Sequence, residues 1–129
     1  MHHRLGAFVL LGLLAACRAT STAPTPDQPG FAPVTLTAVQ LQTVQAGVKT
    51  MLDEPPSAEL SAIKAASSAK DGNIHVCGYV NTKASDEALP FYVELSAGSG
   101  TPKAERGQVG TTASKRSKID FVCRGKGLG

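Results

Sequence analysis

Tryptophan is absent from the 129 residues, and aromatic side chains make up only 5% of them. A broad aromatic binding face is therefore excluded. Cysteine is scarce too, with three copies at Cys17, Cys77 and Cys123. None forms a Cys-x-x-Cys pair, and no His-x-x-x-His occurs, so the usual spacings of zinc and dithiol redox sites are missing. His75, two residues before Cys77 on one strand face, leaves a thin metal alternative; no metal or cofactor is expected. The longest uncharged apolar run, Leu5 to Ala16, is too short for a bilayer core, which needs about 20 residues. Arg18 follows it with no stop-transfer pattern. Internal repeats and nucleic-acid motifs are lacking. Ser68, Asp71 and His75 lie close in sequence, but no nucleophile motif frames them. No catalytic residue is assigned, and the expectation is a non-enzyme.

What is present begins with a polar, partly basic start at His2, His3 and Arg4. The apolar run follows, then small residues. This is the layout of a secretory signal. Its last residues, Leu14-Ala15-Ala16-Cys17, resemble the lipobox of bacterial lipoproteins. The resemblance covers residues 1–18. It implies a diacylglyceryl (palmitate-type) group on the Cys17 thiol, cleavage just before Cys17, and acylation of the new amino group. Two or more chains anchor a protein stably, whereas one does so only marginally. Arg18 stands where Asp would signal inner-membrane retention, which implies an outer-membrane protein facing the periplasm. The expected organisation is a signal at 1–16, a lipidated Cys and Pro/Thr/Ser-rich linker at 17–33, one small domain at 34–124 and a frayed tail at 125–129. With Cys17 lipidated, Cys77 and Cys123 remain, and an exported protein most simply pairs them.

Within the domain, Thr37 to Leu52 reads as an amphipathic helix. Thr37 and Gln40 fit a capping box. Leu41, Val44, Val48, Met51 and Leu52 share a face, Gly47 points to a close approach, and Pro55-Pro56 end the helix. Leu60 to Ser68 reads weakly as a strand. Lys70-Asp71-Gly72-Asn73 is a turn signal. Asn73 to Asn81 alternates, with Ile74, Val76, Gly78 and Val80 on one face and His75, Cys77, Tyr79 and Asn81 on the other. Residues 82–90 read as a polar loop ending at Pro90. Phe91, Val93 and Leu95 mark another strand, Ser96 to Ser117 a long loop, and Ile119, Phe121 and Cys123 a final strand. The expected fold is α+β: one amphipathic helix packed on a small antiparallel sheet of three to four strands, stapled by one disulfide that joins the central strand to the last.

The run Cys77-Gly78-Tyr79-Val80-Asn81-Thr82-Lys83 is similar to small exported proteins of alphaproteobacterial type. Those carry a Cys-Gly-x-Val-Asn-x-Lys core after an acidic-Pro-Ser-Ala stretch like Asp53 to Ala58, and a second Cys near the C-terminus. The resemblance implies the fold and the disulfide and no particular activity. Family members continue with a Gly-Gly-aromatic turn, and Ala84 to Leu89 departs from it.

Charge is uneven along the chain. Thr50 to Leu95 holds three Lys and seven acids, whereas Lys103 onward holds seven basic residues and two acids. A basic segment of this kind meets an anionic surface or simply stays solvated. The candidate interaction residues are Asn81, Lys83, Lys103, Arg106, Lys115 and Arg116. The function expected is a lipid-anchored cell-envelope protein, joined to the membrane through Cys17, that binds an envelope-protein or cell-wall partner and no nucleic acid. The alternative is a lipid-anchored inhibitor of a hydrolase such as lysozyme, with Ser96 to Ser117 as the inserting loop.

Overall fold

The computed structural model describes residues 29–52, 58–83, 85–98 and 100–129. The signal, the lipobox, Cys17 and the acidic-Pro stretch at 53–57 lie outside them. The described chain runs β1 (Phe31–Val34), α1 (Ala38–Thr50), β2 (Glu59–Ser68), β3 (Ile74–Thr82), β4 (Ser85–Leu95), β5 (Ala104–Val109) and α2 (Ala113–Gly125). The strands form one antiparallel sheet in chain order, β1-β2-β3-β4-β5. α1 packs on one face and α2 on the other. The class is α+β with a disulfide, as expected, but with five strands and two helices.

α1 starts where the sequence signals it. The Thr37 hydroxyl accepts from the Gln40 N–H at 3.2 Å, and the Gln40 side chain accepts from the Thr37 N–H at 2.9 Å. These bonds satisfy two of the N–H groups that a helix start leaves unpaired. Thr37→Ala is expected to cost about 1 kcal/mol, read as a lower urea midpoint with an unchanged slope. Val44 and Val48 are fully buried, and Met51 and Leu52 pack beside them. At Gly47 a Cβ would come within 3.2 Å of the Ala104 Cβ, which is the close approach its position suggested.

The larger core lies between α1 and the sheet. It gathers Val44, Val48, Val76, Val80, Leu89, Phe91, Val93 and Leu95. Gly78 faces Phe91 across the β3–β4 ladder. A Cβ there would sit 2.8 and 2.9 Å from two Phe91 ring atoms, so the glycine makes room for the largest fully buried side chain. The β2–β3 hairpin turns at Asp71-Gly72, with Gly72 at φ +74° and Asp71 Oδ1 accepting from the Asn73 N–H at 2.9 Å. The left-handed φ suits the one residue without a Cβ.

Several expectations are corrected. The Ile119/Phe121/Cys123 segment is helix, not strand. Ile119 and Cys123 are buried while Phe121 is 81% exposed, so the inward period is four residues rather than two. The Thr112 hydroxyl caps this helix by accepting from the Lys115 N–H. Ser96 to Ser117 is not one loop, because it contains β5 and the first turns of α2. β5 was hidden because its core-facing positions are Ala104, Gly107 and Val109, too small to read as an apolar alternation. Residues 85–90 extend β4 through Pro90 instead of forming a loop. The Pro90 carbonyl accepts from Gly110 at 2.7 Å, where the β4–β5 ladder ends. A ring nitrogen facing that side interrupts no ladder bond. β1 begins at Phe31, inside the stretch expected to be linker, and Pro33 suits its edge position. The tail is docked rather than frayed: Leu128 is buried, and its N–H donates to the Cys123 carbonyl.

The disulfide joins Cys77 of β3 to Cys123, with Cα atoms 6.2 Å apart. Its partner element is therefore α2 rather than a last strand.

Candidate functional site

The α2 face of the sheet carries a polar cluster and an open groove. Register places Lys64 and Ala66 of β2, His75, Cys77 and Tyr79 of β3, and Pro90, Tyr92 and Glu94 of β4 on this face. α2 crosses it. Arg116, near the helix start, donates from Nε to the Gly110 carbonyl at 2.9 Å. Lys126, just past the helix end, sits 4.8 Å over the Phe31 ring of β1. The second, smaller core of Ala66, Cys77, Ile119, Cys123 and Leu128 lies beneath the helix. Two different environments flank it.

On the side of the β2–β3 turn is a half-buried polar cluster around buried His75. His75 Nδ1 lies 2.8 Å from the Tyr92 hydroxyl, and Nε2 lies 3.9 Å from Glu94 Oε1. Asn73 Nδ2 donates to the same Glu94 oxygen at 3.0 Å, and Asn73 Oδ1 accepts from the Ala97 N–H. The Phe31 ring meets the imidazole edge-on at 5.5 Å. His75 Nδ1 and the Tyr92 hydroxyl thus share one hydrogen bond, and Nε2 faces the Glu94 carboxylate. Burial holds the His75 pKa below its ordinary value; nearby Lys126 adds to this, and Glu94 and Asp71 oppose it. Burial, with the Glu94 charge behind it, pushes the Tyr92 phenol up to about 12.

This cluster clamps the β2–β3 hairpin to β4. Ser68 and Asp71 shape the turn beside it: the Ser68 hydroxyl accepts from the Lys70 N–H, and the Asp71 carboxylate accepts from the Asn73 N–H and hydrogen-bonds the Ser68 side chain. Cys77 is taken by the disulfide, so it cannot join His75 as a metal ligand. The lowered His75 pKa carries a stability prediction. The unfolded chain takes up a proton near pH 6.5, and the folded one does so only at lower pH. Stability is then fully present above 6.5 and declines as pH falls towards the folded value. The melting temperature should drop on acidification through this window, and His75→Gln should flatten that dependence.

On the other side of α2 is an open groove of about 330 Å³. The Cys77–Cys123 disulfide, Ile119 and Leu128 give it an apolar floor, and Tyr79 and Pro90 make one wall. Lys64, Arg116 and Asp120 carry charge at its rim. Tyr79 is 47% exposed. β2 is kinked here: its register shifts between Ser61 and Lys64, and Ala62 has a φ of +51°. Such strain at a non-glycine residue is seldom kept without a local reason; here it shapes the groove mouth.

The six candidate interaction residues do not converge. Asn81 is the penultimate residue of β3, and Lys83 lies in the β3–β4 turn. Lys103 precedes β5, and Arg106 sits on it opposite Glu94. Lys115 and Arg116 lie in the first turn of α2, and only Arg116 lines the groove. Lys64, Tyr79 and Asp120 complete it and were not singled out by the sequence. The one available signal was that Tyr79 shares a face with Cys77. Comparison with protein-family models, with curated proteins and with solved structures gave no match.

Proposed function

We propose that the chain is a lipid-anchored cell-envelope protein whose domain acts as a non-catalytic docking module. In this reading Cys17 carries the lipid, the anchor lies in the outer membrane, and the domain faces the periplasm. The observation that carries the binding role is the groove beside α2. Its floor is apolar and fixed by a disulfide, and two of its three rim charges, those of Lys64 and Arg116, are positive. Concave apolar sites with a few placed polar groups are where proteins take ligands. The volume suits one or two side chains rather than a large cofactor. The occupant that fits is a segment of another envelope protein that places an apolar side chain on the disulfide and a carboxylate beside Lys64, whose ammonium also donates to the Gly129 carbonyl at 3.2 Å.

A photo-crosslinking amino acid at Tyr79 in living cells tests this. One dominant envelope protein should be captured, and Lys64→Glu should reduce its yield several-fold. The same probe at Val39, exposed on α1, should capture little. Equal capture from both positions, or none from Tyr79, would remove the groove as a docking site.

A further inference from the structure

The outward face of α2 presents a second chemistry. Ile119 and Cys123 point at the sheet, so the opposite side of the helix is centred on Phe121, which is 81% exposed. Lys118 and Arg124 lie three residues before and after it, which makes them its neighbours along the helix surface. The helix carries four basic residues, Lys115, Arg116, Lys118 and Arg124, against one acid, Asp120. That acid is held by Arg124 at 3.1 Å. Arg116 and Lys126 face elsewhere, Arg116 into the groove and Lys126 onto the Phe31 ring, so the cations beside Phe121 are Lys118 and Arg124.

The described chain enters from Pro29 and Gly30 into β1 at the sheet edge. Phe31 packs on the α2 face, beneath Lys126. The first described residues thus lie near the C-terminal end of α2. Cys17 and Gly30 are 13 residues apart, a span of at most about 45 Å even when fully extended. A membrane holding Cys17 would lie within that reach of this end of α2.

We infer that the outward face of α2 rests on an anionic lipid surface, with Phe121 at headgroup depth and Lys118 and Arg124 on the phosphates. This goes beyond the groove and rests on the proposed anchor only for the position of the tether. An exposed apolar ring flanked by cations matches the chemistry of interfacial binding. Each Lys or Arg near an anionic surface adds to the attraction, which fades within a Debye length. A lone exposed Phe would otherwise need no explanation. Here the flanking charge lies beside it, and the first described residues lie near the end of the same helix.

The test uses Phe121→Trp in the full chain, because the natural sequence has no Trp and the new indole is the sole reporter. The protein is reconstituted into vesicles of phosphatidylcholine alone or with phosphatidylglycerol, and flotation confirms attachment. The expected result is a blue-shifted emission, quenched by brominated lipid, on anionic vesicles only. It should revert in 1 M salt, where the Debye length falls to about 3 Å. Adding Lys118→Glu and Arg124→Glu should abolish the shift while leaving flotation intact. Solvent-like emission from protein that floats with anionic vesicles would overturn the inference and leave the anchor standing. A shift that follows protein concentration instead of lipid charge would assign Phe121 to a second copy and overturn it as well. Failure to float with either vesicle would overturn anchor and face together.

Discussion

Replacing both Cys77 and Cys123 by Ala is expected to cost the domain about 4 kcal/mol, the chain-entropy value for a closed loop of this length. The bridge spans a sequence separation of 46. Typical domain stability is about 5–15 kcal/mol, so this is a large fraction of the whole. At about 4–8 °C per kcal/mol for a domain of this size, the melting temperature should fall by roughly 15–30 °C. The loss should be uneven. α1 is held by fully buried Val44 and Val48 with Met51 and Leu52 beside them, whereas α2 buries only Ile119 and Cys123. Hydrogen exchange of the variant should therefore show α2 amides losing protection before those of β3 and β4. A cost under about 1 kcal/mol, or equal loss in both helices, would mean that α2 is fastened by something other than the disulfide.

Phe91→Ala is expected to destabilise by about 3–5 kcal/mol, the range for removing a buried aromatic ring. Phe91 is fully buried at the centre of the α1-side core. Gly78 is its complement. Gly78→Ala would place a Cβ 2.8 Å from the ring and 3.0 Å from the Ser61 carbonyl oxygen. Overpacking of this kind costs about 1–3 kcal/mol. The two residues should couple, because Phe91→Leu withdraws the ring edge that the new methyl meets. In that background Gly78→Ala should cost about 1 kcal/mol less, the remainder coming from Ser61. A double-mutant cycle by urea denaturation reads this directly, and strict additivity would contradict the packing described here.

The elements legible in the sequence are those whose core-facing residues are large and regularly spaced. α1 showed both its capping box and its Val44/Val48 stripe. β3 and the Phe91–Leu95 half of β4 showed strict alternation. The pairing of Cys77 with Cys123 followed from reading the chain as exported with Cys17 set aside for lipid. The elements that were missed bury little. β5 turns Ala104, Gly107 and Val109 inward because α1 comes close, and that leaves almost no apolar signal. β1 is four residues of edge strand. In α2 a short run of alternating apolar residues mimicked a strand, because Phe121, the residue that broke the true helical pattern, is the exposed one. The Thr112 cap and the Asp120–Arg124 spacing were the helical signals to weigh against it. The groove was illegible for a different reason. It is assembled from β2, β3, β4 and α2, and it exists only because α2 crosses the sheet.

The tethered reading depends on Cys17, and the intact mass of the protein purified from the membrane fraction tests that dependence most directly. The account predicts a chain that begins at Cys17, heavier by a diacylglyceryl group and an N-acyl chain, and lighter by the hydrogens lost to one disulfide. A chain that keeps Met1, or starts at another residue without lipid, would contradict the tethered docking module at its root.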